Sequence, residues 1–164
     1  AKQFDIVFTS YGTIGWLPDL DNWAKIISKC LKPNGKLVFV DFHPVVRMLD
    51  ANFDKIGSNS FNDGAIVETL SGTYTNLDAP IKQEYVNWNH SISEVLNSLI
   101  KNDFAVESFD EFDYSPYNCF KHTVELEPKK FRIQQLENKI PMVYAIVAAK
   151  KNWKTCLQWI RLTF

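Results

Sequence analysis

The chain has 164 residues and a formal net charge of −1, with 46% of its residues hydrophobic and 23% charged. This length favours one domain, and the near-zero charge gives no electrostatic case for binding nucleic acid or an anionic membrane. The sequence shows no signal peptide and no apolar run long enough to span a bilayer. Three scattered cysteines, Cys30, Cys119 and Cys156, are typical of a reduced compartment, so we expect a cytoplasmic protein.

The first forty residues have the pattern of a strand, a helix and a second strand. Residues 4–9 (FDIVFT) are mostly apolar on both faces, as in a buried strand of a parallel sheet. Apolar positions spaced by three and four predict a helix over residues 19–31, and residues 36–42 (KLVFVDF) predict the second strand. Gly12 and Gly15 mark a tight loop before the helix. Such a unit predicts parallel strands joined by a right-handed crossover.

The stretch from about residue 44 to residue 89 interrupts this rhythm with turn residues. Within it, residues 65–70 and 83–88 predict two short strands, which we interpret as a β-hairpin inserted into the domain. An excursion of this length inside a compact domain commonly covers a site or moves over it. We therefore treat it as a lid region.

Regular elements return in the last third of the chain. Ser91 and Glu94 have the spacing of a capping box and predict the start of a helix. Residues 104–109 predict a third main strand and residues 141–149 the last one. Between them lies a second excursion, residues 110–139, rich in aromatic and charged residues. No long helix is predicted there, so we expect the last two strands to be antiparallel at the end of the sheet.

This order of elements resembles the C-terminal half of a class I S-adenosylmethionine-dependent methyltransferase of the small-molecule type. Residues 4–44 are similar to that family's fourth strand, following helix, LKPxG turn and fifth strand, which ends in His-Pro. Residues 88–116 resemble its last helix and sixth strand, and residues 137–151 (ENKIPMVYAIVAAKK) resemble its antiparallel seventh strand. The resemblance implies an α/β fold: a partial Rossmann-like sheet with strands four to seven, the last antiparallel, and an inserted hairpin.

The family's first three strands have no counterpart in this sequence. They carry the glycine-rich loop that holds the methionine part of the cofactor and the acidic residue that holds its ribose. We therefore expect residues 1–151 to be the C-terminal half of a methyltransferase domain, inactive alone and unable to bind S-adenosylmethionine. Residues 152–164 form a tail of unassigned structure, and its apolar residues Trp153, Leu157, Ile160 and Phe164 stand at helical spacing.

The resemblance also places candidate site residues near the cofactor. In a complete family member, residues Thr9, Ser10, Tyr11 and Gly12 would edge the cofactor pocket, because ligands lie outside the carboxyl ends of such strands. His43 follows the fifth strand, where an acceptor or a catalytic base would sit. The alternative for His43 is a hydrogen bond that fixes the bend after the strand.

A second group of candidates would bind a small-molecule methyl acceptor. Trp16 would lie near that acceptor. An aromatic wall against a flat or apolar molecule would be formed by Tyr85, Trp88, Tyr114 and Tyr117. His90 is a further candidate, with a role in the following helix cap as its alternative. Each aromatic residue alone is better explained by ordinary packing in the core, and only as a group do they favour such a molecule. The histidines are too widely spaced for a metal site.

Residues 4–9 also raise a question of assembly. Without the family's first strand they would form a sheet edge that is apolar, lacks proline and carries one charge, Asp5. We expect this edge to self-associate or to be covered by the tail. Two other interpretations remain open: a non-catalytic binding or assembly module, and a different nucleotide-binding α/β protein.

Overall fold

A computed structural model of the protein describes residues 3–50, 52–71 and 79–152. In chain order the elements are β1 (Phe4–Thr9), a 3₁₀ turn (Ile14–Trp16), α1 (Leu20–Cys30), β2 (Leu31–Phe42), α2 (Pro44–Met48), β3 (Ile66–Ser71), β4 (Lys82–Asn87), α3 (Ile92–Lys101), β5 (Phe104–Phe112), β6 (Thr123–Glu127), β7 (Lys130–Ile133) and β8 (Val143–Lys150). The predicted tail, apart from Asn152, lies outside the described residues.

Four strands form one mixed sheet in the order β1, β2, β8, β5. β1 and β2 are parallel, whereas β8 runs antiparallel to both β2 and β5. This confirms the α/β class and the antiparallel last strand. The predicted antiparallel pair at the end of the sheet is β8 with β5, and β5 is the outermost of the two strands.

The unit from β1 to β2 follows the predicted order with a longer second strand. Asp19 caps α1, because its Oδ1 accepts the N–H of Asn22 at 2.9 Å. β2 begins at Leu31 and not at the predicted residue 36, because Leu31 pairs with Phe4. The pairing then shifts through an irregularity around Asn34, whose φ of 64° is left-handed. The expected turn is thus a bulge within the strand.

α1 and α3 cover one face of the sheet. Ser91 caps α3 by accepting the N–H of Glu94 at 3.2 Å, as the capping-box spacing predicts. Both helices pack on the central strands, where Leu37, Phe39 and Ile146 have no exposed surface. This cluster is the main hydrophobic core.

The opposite face is covered at one end only. There a second cluster that includes Val143 and Ile133 lies beneath β6 and β7, an antiparallel pair absent from the sequence prediction. At the other end, Phe4, Ile6 and Phe8 of β1 are 50%, 62% and 62% exposed. Alternate residues of a strand face one side, so these three form an apolar strip.

β3 and β4 form the predicted hairpin pair outside the main sheet, with Ile66 opposite Asn87 and Ser71 opposite Lys82. The pair is anchored beside the loop after β1, because the Trp88 N–H donates to the Gly15 carbonyl at 2.9 Å. None of the helices in the described ranges is long and apolar enough to cross a membrane.

Candidate functional site

The loop after β1 is tied to the carboxyl end of β2. Gly12 has a φ of +76°, a left-handed conformation that favours glycine, and its N–H donates to Asp41 Oδ1 at 2.7 Å. Thr9, the last residue of β1, is buried, whereas Ser10, Tyr11 and Gly12 are half-buried. The predicted cofactor edge therefore lies at the carboxyl ends of two parallel strands, where α/β proteins bind ligands. Its role in binding stays a prediction.

Asp41 is a buried carboxylate with one oxygen in use. Its side chain is 1% exposed, and Oδ1 accepts N–H groups from both Gly12 and Phe42 at 2.7 Å. Oδ2 is buried and has no hydrogen-bond partner in the described part of the chain. Burial raises the pKa of this carboxyl, while the nearby Arg47 guanidinium and the backbone N–H groups of Gly12, Phe42 and Ile14 oppose that shift.

Arg47 on α2 lies across the loop after β1 that contains Gly12 and Gly15. Its Nη2 is 3.8 Å from Asp41 Oδ1, a distance at which the charges attract without a hydrogen bond. A Cβ added to Gly15 would come within 3.4 Å of Arg47 Nη1, so the glycine lets the guanidinium approach the backbone closely. Arg47 remains 31% exposed and thus reaches from the buried carboxylate to the surface.

These residues enclose a small recess of about 10 Å³, room for one water-sized group. Its lining includes Asp41, Arg47, Trp88, His90 and Tyr144. Tyr144 stands directly opposite Asp41 in the β2–β8 register and is fully buried. Its hydroxyl has no hydrogen-bond partner within the described ranges. Burial, followed by the charge of Asp41, raises the pKa of Tyr144, so the phenol stays protonated.

His43 lies at the end of β2 and caps α2. Its Nδ1 accepts the N–H of Val45 at 3.2 Å, and its Nε2 lies 2.8 Å from Glu111 Oε1. An accepting Nδ1 carries no proton, so the neutral ring donates from Nε2 to Glu111. Burial lowers the pKa of His43 although Glu111 favours the charged form. Both nitrogens thus fix the strand-to-helix bend, and the catalytic role predicted for His43 stays a prediction.

The predicted aromatic residues gather in two places. The Tyr11 ring packs edge-on against Tyr117 at 5.3 Å and lies 5.4 Å from the Phe42 ring. Trp16, 55% exposed, lies 5.7 Å from the Tyr85 ring on the inserted hairpin. Trp88 belongs to neither group and lines the recess. The single acceptor wall expected from the sequence is therefore divided, and its role in substrate binding stays untested.

His90 is buried between α3 and the segment that follows the loop of Gly12 and Gly15. Its Nε2 donates to the Leu17 carbonyl at 2.8 Å. Its Nδ1 is 3.0 Å from Glu94 Oε1 but lacks the geometry of a hydrogen bond. His90 therefore anchors the segment before α3 to the 3₁₀ turn, and it also lines the recess. Its position fits both predicted roles, ligand binding and support of the helix start, and the binding role stays a prediction.

Asp41, Arg47 and Tyr144 were missed by the sequence prediction. For Asp41 a signal exists, since it is the one acid in the apolar run KLVFVDF and a buried charge is costly unless it serves a purpose. The contribution of Tyr144 depends on strand register, which the sequence does not reveal.

No protein-family model and no curated protein matches the chain. Solved structures do match. One is a protein of Listeria monocytogenes described as an S-adenosylmethionine-dependent methyltransferase. It is 18% identical to this chain, 92% of this chain matches 63% of that one, and the TM-score is 0.58. A methyltransferase of the same class from Mesorhizobium loti is 16% identical, with coverages of 90% and 62% and a TM-score of 0.52.

A third structure, from Clostridium acetobutylicum, is 13% identical with a TM-score of 0.53, and 92% of this chain covers 60% of it. Identities this low show the fold alone. The chain therefore has the mixed α/β fold of part of an S-adenosylmethionine-dependent methyltransferase domain, and it spans about three fifths of the length of these structures.

Proposed function

We propose that this chain is part of an S-adenosylmethionine-dependent methyltransferase that acts on a small molecule. The observation that carries the proposal is the junction of Gly12 and Asp41 at the carboxyl ends of β1 and β2. It lies at the ligand-binding edge of a sheet whose fold matches such enzymes. Methyl transfer needs alignment and exclusion of water above all, and a loop held by a buried carboxylate suits that demand.

The residues present fit one edge of the cofactor and not the whole of it. Gly12 exposes backbone without a side chain, and Ser10 and Tyr11 flank it with half-buried polar groups. The sequence contains neither a glycine-rich loop after a first strand nor the acidic residue for the ribose. S-adenosylmethionine, when bound, supplies the electrophilic methyl group, and Ser10 to Gly12 would contact its amino-acid part. This chain alone is proposed to be inactive.

Two titrations of the chain with S-adenosylmethionine test the proposal. Calorimetry at micromolar concentrations is expected to detect no binding, because most cofactor contacts are missing. Amide NMR with millimolar cofactor is expected to detect weak contact confined to Ser10, Tyr11 and Gly12. Shifts elsewhere with none in this loop contradict the proposed cofactor edge, and micromolar affinity contradicts the proposed inactivity of the chain alone.

Two matched glycine variants separate contact from backbone strain. Gly12→Ala places a side chain at a φ of +76° beside the proposed cofactor edge and is expected to abolish the NMR shifts. Gly64→Ala imposes comparable backbone strain at a φ of +135°, where the added Cβ meets no atom within 4 Å, and is expected to leave them unchanged. Equal losses in both variants contradict a local contact.

A second candidate function is an assembly module that self-associates through β1. The favouring observation is the apolar strip of Phe4, Ile6 and Phe8, on a strand that pairs only with β2 among the residues described. Long, exposed apolar edges readily pair with another strand. Light scattering across a concentration series distinguishes the candidates, since the module is expected to form a dimer and a folded monomer at all concentrations contradicts it.

A further inference from the structure

We propose that the recess between Asp41 and Tyr144 binds the hydroxyl or amine group of a flat methyl acceptor, with Asp41 Oδ2 accepting its hydrogen. Three buried polar atoms have no hydrogen-bond partner in the described residues, and the residues that carry them, Asp41 (Oδ2), Tyr144 (hydroxyl) and His90 (Nδ1), all line one recess. Leaving such groups unpaired is expensive, so a ligand that pairs them gains affinity by doing so.

The size and chemistry of the recess restrict what enters it. A volume of about 10 Å³ admits one non-hydrogen atom with its hydrogens. Asp41 Oδ2 needs a donor, and the protonated Tyr144 phenol both donates and accepts. A hydroxyl or an amine satisfies this pair, whereas a methyl or ring carbon leaves both atoms unpaired. Sites built for O–H or N–H groups discriminate strongly against analogues that lack them.

The residues at the rim indicate the rest of the ligand. Phe42, Arg47 and Trp88 are half-buried lining residues, so the recess lies one side chain below the surface. The Arg47 guanidinium carbon lies 5.9 Å from the centre of the Phe42 ring. Arg47 and Phe42 thus contact each other at this rim, and aromatic side chains such as Phe42 and Trp88 pack well against a flat molecule. We therefore infer an aromatic alcohol or amine whose polar group points down to Asp41.

The fate of the proton rests on the proposed methyltransferase function. As the acceptor oxygen or nitrogen bonds to the methyl carbon, the carbon–sulfur bond of the sulfonium donor breaks and its electron pair stays on sulfur. The hydrogen on the acceptor atom then passes to Asp41 Oδ2. The burial that raises the pKa of Asp41 makes it a better proton acceptor than an exposed carboxylate. Oδ1 keeps its bonds to the Gly12 and Phe42 amides throughout.

Binding of simple probes tests the recess without the cofactor. Phenol, aniline and toluene share one ring, and toluene lacks a donor. With the ¹⁵N-labelled full chain, phenol, aniline or both are expected to shift the Gly12 and Phe42 amides that share the Asp41 carboxylate, and toluene is expected to leave them unchanged. The stronger of the two polar probes identifies oxygen or nitrogen as the acceptor atom. Equal shifts from all three probes, or none, overturn the proposal.

Substitutions assign the effect to Asp41. Asp41→Asn is expected to weaken the polar probe about tenfold or more, because a hydrogen bond to a charged acceptor is lost. Asp110→Asn, an exposed acid on neighbouring β5, is the matched control and is expected to have no effect. Equal affinity in wild type and Asp41→Asn overturns the proposal.

Tyr144→Phe keeps the inference testable if Asp41→Asn does not fold. It removes one unpaired atom and is expected to preserve or raise thermal stability while weakening phenol several-fold. A loss of stability with unchanged phenol affinity shows a bridging water only and overturns the proposal. Because no probe needs the cofactor, failure here is distinct from failure of the cofactor titrations.

Discussion

The two faces of the main sheet differ in how completely they are covered. Under α1 and α3, Phe39 and Ile146 have no exposed surface. On the other face, the strip of Phe4, Ile6 and Phe8 is at least half exposed, and the cluster beneath β6 and β7 covers only the far end. The same sheet is therefore a closed core on one side and an open apolar surface on the other.

The closed face is stabilised by contacts among the described residues themselves. The open face leaves apolar side chains exposed, and a further contact would bury them. Exposed apolar patches commonly mark sites of interaction. The matching methyltransferase structures are longer than this chain, which spans about three fifths of their length. Changes on the closed face should act on stability, and changes on the open face should act on association.

The largest expected effect is on the closed face. Phe39→Ala is expected to lower the free energy of unfolding by about 3–5 kcal/mol, because it leaves a cavity beneath α1. Phe8→Ala removes the same atoms from the open face and is expected to change the free energy of unfolding by less than about 0.5 kcal/mol. Urea denaturation measures both. Similar losses for the two variants would show that Phe8 is buried in solution and would break the comparison.

A charged residue in the middle of the apolar strip tests whether the open face mediates self-association. Ile6→Lys is expected to weaken self-association about tenfold or more, since a lysine on a strand edge opposes pairing. Sedimentation velocity over a range of concentrations gives the dissociation constant. Ile26→Lys, an exposed residue of α1 away from the strip, is the control and should leave association intact. A dimer that is equally stable with lysine at position 6 contradicts assembly through β1.

The cap of α3 tests how far the closed face depends on a helix terminus. Ser91→Ala is expected to cost about 1 kcal/mol of unfolding free energy, because the Glu94 N–H loses its acceptor. Ser93→Ala, two residues further along, removes the hydroxyl that lies 2.9 Å from the Ser91 hydroxyl and should cost less. Thermal unfolding followed by circular dichroism measures both variants. An equal, negligible loss in the two would show that packing alone holds the helix.

The smallest expected effect concerns pH at the end of β2. The folded-state pKa of His43 is below its ordinary value, so the unfolded chain binds more protons between the two pKa values. The stability contribution is present above the ordinary pKa of about 6.5 and is lost as pH falls through the folded one. We expect a loss below about 1 kcal/mol that disappears in His43→Gln. A pH dependence unchanged in that variant assigns it to other groups.

Most of the main sheet was predictable from apolar periodicity. Residues 4–9, the two amphipathic helices and residues 141–149 each present a continuous or regularly spaced apolar face. The β6–β7 pair was missed because both strands are short, with five and four residues, and β6 is mostly exposed. Its turn uses Lys129 at a φ of 60°, so no glycine signalled it. The antiparallel pairing of the last two strands was predicted from the absence of a long helix between them, and the family resemblance agreed with it.

The candidate site was predictable only in part, because its residues meet across strands. Local sequence predicted that the loop of Ser10 to Gly12 follows a strand, and the family resemblance assigned it to the cofactor edge, which stays a prediction. Asp41 and Tyr144 lie far apart in the chain and become neighbours only through the register of β2 and β8. Apolar runs predict strands but not which residues stand opposite each other, so a polar pair buried between two such runs escapes prediction.

The two oxygens of Asp41 have a consequence for the order in which ligands act. One oxygen accepts the Gly12 amide at the proposed cofactor edge, and the other has no hydrogen-bond partner among the described residues and is proposed to bind the acceptor in the recess. A hydrogen-bond donor bound at Oδ2 draws negative charge from Oδ1 and so weakens the hydrogen bond that Oδ1 accepts from the Gly12 N–H. By reciprocity, a molecule that moves the loop changes affinity in the recess by the same factor. A single carboxylate thus makes the two sites thermodynamically dependent on each other.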